Sequence, residues 1–363
     1  MCTLPNDLLI PILEELAEDY KTLSTLLTVS RNIYALALPL FYQELDISRQ
    51  GPFDDRDLHS VVQKLYHRIE CNPGRQFTTS LRFDLWCFFD PLPDVRTVLP
   101  HLPNLRRLCI LGPDPIGSDV LQLIPSTAQL THLMLGRAFY EQSLLSFLEL
   151  HPKLAFLCIN HLRHDFGFDF DDPSQPHPTV PRSALPVLRS AEIPDDILRL
   201  IAGRASLVDL AITDAEAPSP PFSYDVAAAY PSVCSLSVQR ISFSGTTSLV
   251  ASLPNLRYMR VHVDPREMDD TWRAALSTTK LAYMRFQGMQ ILRNSDEPVR
   301  RLFEAVQSLA LVDVGAYGVE PIFIRYHRNT SAEELVHIPY RRWKSWWESA
   351  RDDIEDAVCR CGR

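Results

Sequence analysis

One spacing limits what this chain can fold into. An apolar triplet at positions one, four and six returns roughly every 25 residues. It stands at Leu105/Leu108/Ile110, Leu130/Leu133/Leu135, Leu154/Leu157/Ile159, Leu188/Ala191/Ile193 and Leu207/Leu210/Ile212. It continues at Val233/Leu236/Val238, Leu256/Met259/Val261 and Leu281/Met284/Phe286, with weaker copies at Thr78/Leu81/Phe83 and Val306/Leu309/Leu311. Positions four and six face one way in a strand of period two, so each triplet predicts a short strand with one apolar face. A fixed period of this length means repeats that stack on their neighbours, because one repeat cannot bury its own apolar side. One long step, from Leu154 to Leu188, predicts an inserted loop at about 164–186. Amphipathic stretches between triplets, such as Tyr140–Leu150 and Asp195–Ala202, predict helices.

The L-x-x-L-x-L triplets resemble leucine-rich repeats. That resemblance implies an α/β fold: a solenoid with parallel strands on a concave side and helices on a convex side. Leu-Pro-Asn-Leu-Arg occurs at 102–106 and again at 253–257 and fixes the register. The asparagine expected late in each regular repeat is mostly missing, with Asn160 the exception, so even curvature is not implied.

The first fifty residues follow a different pattern. Leu8, Leu9, Ile12, Leu13 and Leu16 recur at helical spacing, with Asn6 or Asp7 as candidate caps. A second apolar run from Leu23 leads through Val29-Ser30-Arg31 to Leu38, and Pro39 is expected to end that helix. Leu45-Asp46-Ile47 alternates like a strand and leads into the array. About forty residues rarely stand alone, so this segment needs a neighbour.

Leu4-Pro5-Asn6-Asp7-Leu8-Leu9-Ile10-Pro11-Ile12-Leu13, then Val29-Ser30-Arg31, then Leu40-Phe41-Tyr42-Gln43-Glu44-Leu45 resemble the F-box. The tryptophan of the family's closing segment is replaced by Phe41-Tyr42, as in fungal variants. The resemblance implies docking to a Skp-type adaptor, and through it to a cullin–RING ubiquitin ligase. Carried over by position, the adaptor-binding residues are Leu4, Pro5, Leu8, Leu9, Ile12, Leu13, Leu16, Leu26 and Val29. The domain reading is an F-box over 1–48, a repeat array over 49–320, and a last strand with a Trp-rich helical cap over 321–363. Trp343, Trp346 and Trp347 share one helical face there, as a cap on the last repeat or as a partner site. The function implied is a non-catalytic substrate receptor of an SCF-type ligase. The alternative is a repeat scaffold whose N-terminal helices are only a cap.

Within each repeat the third, fifth and seventh residues point away from the core. Two adjacent repeats then place Tyr258 beside Tyr283 and Arg260 beside Arg285, with His262 close by. Two guanidiniums on neighbouring strands gain from an acidic group between them. Tyr258, Arg260, His262, Tyr283 and Arg285 are therefore the candidate target-binding residues, for an acidic or phosphorylated protein segment. Intramolecular acids at Glu192, Asp209 or the Asp264–Asp270 loop are the competing partners.

Composition removes other classes. The net charge of −9 lacks the basic footprint of a nucleic-acid binder. With 12 glycines against 28 prolines, no glycine-rich phosphate loop occurs. Eight cysteines are scattered, several inside apolar runs, as reduced buried thiols are. Together with the absence of a signal-like N-terminus or a membrane-length apolar run, they predict a cytoplasmic or nuclear protein. Asp169 and Asp171 lack a full calcium loop, and Cys359 and Cys361 lack a second pair for zinc. No catalytic constellation, cofactor or metal is expected.

Overall fold

The computed structural model describes residues 5–16, 19–47, 73–84, 95–112, 116–140, 142–164, 184–194, 198, 201–213, 229–238, 243–263, 265–288, 297–316, 322–328, 333–337, 351 and 354–355. Most of the expected inserted loop, most of the Asp195–Ala202 helix, the Asp169/Asp171 run, the three clustered tryptophans, Cys359 and Cys361 lie outside them. The chain divides into two compact units: Met1–Phe147 with Arg163–Gly167, and Leu148–Leu162 with Phe168–Arg363.

The first unit begins with three helices, α1 (Asn6–Glu15), α2 (Tyr20–Leu26) and α3 (Arg31–Gln43). Side chains do not cap α1: its N-cap is Pro5, and Asn6 instead accepts from Asn32 Nδ2 at 2.9 Å, tying α1 to α3. Asp19 caps α2 through the Thr22 amide, and Ser30 caps α3 through the Ile33 amide. Ser30 splits what the sequence suggests as one run. Pro39 does not end α3, which continues to Gln43. A proline there costs one backbone bond, and packing of Ala37, Leu40 and Phe41 on the α1–α2 core of Leu13 and Leu23 outweighs it.

Four parallel strands follow in chain order: β1 (Glu44–Ile47), β2 (Ser80–Asp84), β3 (Arg107–Leu111) and β4 (His132–Tyr140). Leu45 pairs with Leu81 and Ile47 with Phe83, so Tyr42/Leu45/Ile47 is itself the first triplet of the array. The Tyr42 ring lies against Gly74, where an added Cβ would sit 2.5 Å from it. The helical module thus runs into the strands without a linker.

The second unit stacks β5 (Phe156–His164), β6 (Ser190–Pro194), β7 (Asp209–Thr213), β8 (Ser235–Val238), β9 (Tyr258–Val261), β10 (Tyr283–Gly288) and β11 (Leu311–Ala316) in parallel and in chain order. Two antiparallel strands close it, β12 (Ile322–His327) and β13 (Glu333–His337). β13 adds a second strand to the single last strand that the sequence reading placed within 321–363. Helices Phe243–Ala251, Asp270–Ser277 and Glu297–Ala305 cross over between β8 and β11, neighbour packing on neighbour. This is a mixed α/β architecture of stacked strand–crossover repeats.

Register follows the triplets. Leu157, Ala191, Leu210, Leu236, Met259 and Met284 form one buried row across β5–β10, and Ile193, Ile212, Val238, Val261 and Phe286 the next. The last triplet is corrected. Tyr283 pairs with Leu311, so the triplet is Leu309/Val312/Val314, three residues later than Val306/Leu309/Leu311. Val306 occupies the place that Leu253 holds before Leu256, buried ahead of the strand.

A different polar ladder stands where the regular asparagine is missing. Asn104 Nδ2 donates to the Gln76 carbonyl at 2.7 Å, and Asn255 Nδ2 to the Pro231 carbonyl at 2.7 Å. Thr127 reaches the Pro103 carbonyl at 3.2 Å, and Ser308 the Leu281 carbonyl at 2.8 Å with the Thr279 carbonyl at 3.4 Å. The Gln76, Pro103, Pro231 and Thr279 carbonyls lie two residues before their triplets and Leu281 opens its own, so the side chain of one repeat clamps the backbone of the previous one.

Candidate functional site

The structure sorts the motif residues of the helical module by exposure. Leu4 lies outside the described residues. Leu13, 2% exposed, is the centre of the module's own core with Leu23 and Ala37. Leu9, Leu16 and Leu26 are half-buried. Pro5 is exposed, and Leu8 (56%), Ile12 (51%) and Val29 (59%) are open to solvent. Two further apolar residues, Ile10 and Tyr34, join them. Tyr34 borders an open groove with Leu27, Thr28, Ser30 and Arg31. Large aliphatic side chains lose favourable burial when left in water, at about 25 cal/mol per Å². Several on one small module mark an interaction surface more than scattered exposure does. The resemblance carried Leu13 over with the contact residues, and helical spacing alone does not separate the side facing α3 from the side facing water.

Strand pairing does bring the five target-face candidates together. Tyr258 pairs with Tyr283 and Arg260 with Arg285. The row containing the arginines continues through Asp313 on β11 and Arg325 on β12. Exposure divides the five: Tyr258, Tyr283 (0%) and Arg285 (4%) are buried, whereas Arg260 and His262 are half-buried.

Asp313 organises the buried part. Arg325 meets its carboxylate through two bonds, Nε to Oδ1 at 2.8 Å and Nη2 to Oδ2 at 2.9 Å. Tyr283 donates to Oδ2 at 2.6 Å, and Arg285 Nε donates to the Tyr283 hydroxyl at 2.7 Å. Arg285 Nη2 stands 3.7 Å from the same oxygen and its guanidinium lies 4.5 Å over the Phe323 ring. The acidic partner of Arg285 and Arg325 is therefore internal, and it is Asp313. Asp209 instead accepts from the Ser190 and Ser235 hydroxyls at 2.9 and 2.8 Å. Arg260 donates to Ser237 Oγ at 2.8 Å. Burial pushes the Glu192 carboxyl up, and the charge of Arg260 pulls it back, which puts Glu192 within electrostatic reach of that arginine. Burial drives the Tyr283 phenol well above its ordinary value, so it stays a donor to Asp313.

Sequence reasoning missed Asp313, Arg325 and the cover over this face. Ile354, fully buried, packs with Tyr258, Tyr283, Leu311 and Phe323, with Cys234, Ala310 and Val336 around them. Ile354 thus meets strand residues far from it in sequence, a contact no local pattern announces.

In the first unit the matching face carries ion pairs. Glu44 meets Arg107, and Asp46 lies 3.9 Å from Arg82. Burial, aided by Arg107, holds His132 down to about 4, so it is neutral at physiological pH. Burial pushes the Cys234 thiol up to about 11, which makes it no thiolate nucleophile near neutrality. Among the described residues no His, Cys, Asp or Glu group is arranged to hold a metal ion, and no helix is long and apolar enough to cross a membrane.

No family model matches the chain, and no curated protein matches it. Among solved structures it is similar to the leucine-rich repeat-containing protein LegL7 from Legionella pneumophila. The identity is 14%, with 75% of this chain and 82% of that chain covered, at a TM-score of 0.36.

Proposed function

We propose that the chain is a non-catalytic substrate-recognition subunit of an SCF-type ubiquitin ligase. Its α1–α3 module binds a Skp-type adaptor, and its repeats hold a protein target. The observation that carries the reading is the exposure of Leu8, Ile12 and Val29, three positions of the F-box-like motif, on a module that has already spent Leu13, Leu23 and Ala37 on its own core. Adaptor docking would take that apolar surface out of water, as the core of a stable interface does. The chemistry belongs to other subunits. This chain supplies proximity, raising the effective concentration of a bound target near the ligase. Direct pairing of β1 with β2 favours the reading, because it joins the module to the first repeats without a linker.

Co-expression with a Skp-type adaptor tests it. The intact chain is expected to co-purify with the adaptor, and Leu8→Asp with Ile12→Asp to lose it. A folded intact chain that brings down no adaptor leaves the second reading, a leucine-rich-repeat scaffold without ligase coupling. The stacked strand–crossover repeats favour that second reading equally.

A further inference from the structure

A buried row of the second unit runs out into solvent at the last strand. Strand register carries one line of side chains from Val261 through Phe286, Val314 and Ile324 to Leu335. Val261, Phe286 and Val314 are buried, Ile324 is half-buried, and Leu335 is 76% exposed. A strand residue flanked on both sides is not left three-quarters in water, so Leu335 marks an edge. Among the described residues β13 pairs with β12 alone, and it ends the strand order. The row on the opposite face ends differently. Arg285, Asp313, Arg325 and Glu334 alternate in charge along it, and Glu334 lies 3.5 Å from His327. What this edge leaves unsatisfied is apolar rather than ionic.

The edge is complementary to itself. β13 reads Glu333-Glu334-Leu335-Val336-His337, with neither proline nor lysine to block a further strand. Antiparallel pairing about a two-fold axis at Leu335 opposes Leu335 to Leu335, Glu334 to Val336 and Glu333 to His337. All five residues are then paired, and no like charges face one another. Moving the axis to Glu334 opposes that acid to itself, which destabilises the pair. Moving it to Val336 leaves both acids without a partner in the strand. The axis at Leu335 also carries the apolar row across the junction, as Ile324, Leu335, Leu335 and Ile324 on adjacent strands.

We propose that β13 is a self-pairing edge, and that two copies of this chain join there as an antiparallel strand pair centred on Leu335. The partner is a second copy because charge and exposed leucine both match under the two-fold. The contact is isologous, the same surface serving both copies. Backbone hydrogen bonds hold it, and Leu335 supplies its apolar centre. One short strand pair is a small interface, so the dimer is weak, with a dissociation constant of roughly micromolar order. The proposal does not depend on adaptor docking by the α1–α3 module.

Sedimentation of the full chain over a concentration series tests it. The intact chain is expected to pass from one-chain to two-chain mass between roughly 1 and 100 μM. Leu335→Lys is expected to stay a single chain throughout, at an unchanged melting temperature, because the side chain it replaces lies in solvent. Cross-linking then reads the register. With oxidised glutathione, Leu335→Cys is expected to form a covalent dimer, since the axis brings that position to its own copy within disulfide reach. Glu334→Cys, whose opposite residue is Val336, is expected to cross-link at least about tenfold more slowly. The unsubstituted chain is the control for the native cysteines. A single-chain mass for the intact protein across the series overturns the proposal. So does a two-chain mass that Leu335→Lys leaves unchanged, or equal cross-linking at both positions.

Discussion

The most constrained residue is Asp313. It is fully buried, and one carboxylate serves Arg325, Tyr283 and, at longer range, Arg285. Removing one partner of such a buried network strands the remaining charge, which costs about 3–5 kcal/mol. Asp313→Asn is therefore expected to lower the denaturant midpoint sharply. Tyr283→Phe, which deletes one hydroxyl from the same network, should cost about 1–3 kcal/mol. Equal, small effects from both would mean that the arginines are not held by Asp313. The arginine pair was legible in the sequence, since spacing puts Arg260 and Arg285 on neighbouring strands. The acid beside Arg285 was not, because Asp313 belongs to a repeat whose triplet lies three residues later than the spacing suggests. His132 gives a pH signature. Its folded pKa is depressed to about 4, so below the ordinary value of 6.5 the unfolded chain binds a proton that the folded one refuses. Its contribution is intact above pH 6.5, is lost as pH falls toward 4, and reaches at most about 3 kcal/mol. Urea melts of His132→Gln should lack that part of the acid slope.

At the scale of elements, the apolar period foretold β2–β10, and each strand begins two residues after its first triplet position. Period alone did not settle the last one, because Val306, Leu309, Leu311, Val312 and Val314 offer two apolar triplets. The polar ladder decides it: Ser308 precedes Leu309 as Asn255 precedes Leu256. Asn255→Ala is expected to cost at most about 1 kcal/mol by thermal or urea unfolding, the worth of one solvent-exposed clamp. Helix ends were less legible. Pro39 is carried inside α3 by packing, and Pro5 rather than Asn6 or Asp7 begins α1. Ser30 is a motif residue with a local task, capping α3 at 3.2 Å. Ser30→Ala should therefore lower stability by about 1 kcal/mol and leave adaptor affinity within a factor of about two. A large loss of affinity at unchanged stability would instead make Ser30 a contact residue.

Across the whole molecule, one chain joins a helical module with an unburied apolar surface to a long run of repeats whose first strand grows from the module's last helix. The module's exposed apolar residues were legible in the sequence only within a set that mixed core with surface. The mix follows from α3, which claims Leu13 but not Leu8 or Ile12. The central claim is that this unclaimed surface docks an adaptor. Isothermal titration of a purified Skp-type adaptor into the chain tests it most directly, with three proteins: intact, Leu8→Asp with Ile12→Asp, and Ser30→Ala. The account predicts saturable binding by the intact chain and by Ser30→Ala. It also predicts a loss of roughly a hundredfold or more for the double variant at unchanged melting temperature, as removal of two anchors from an interface centre produces. Equal binding by the double variant, or none by a folded intact chain, would contradict it.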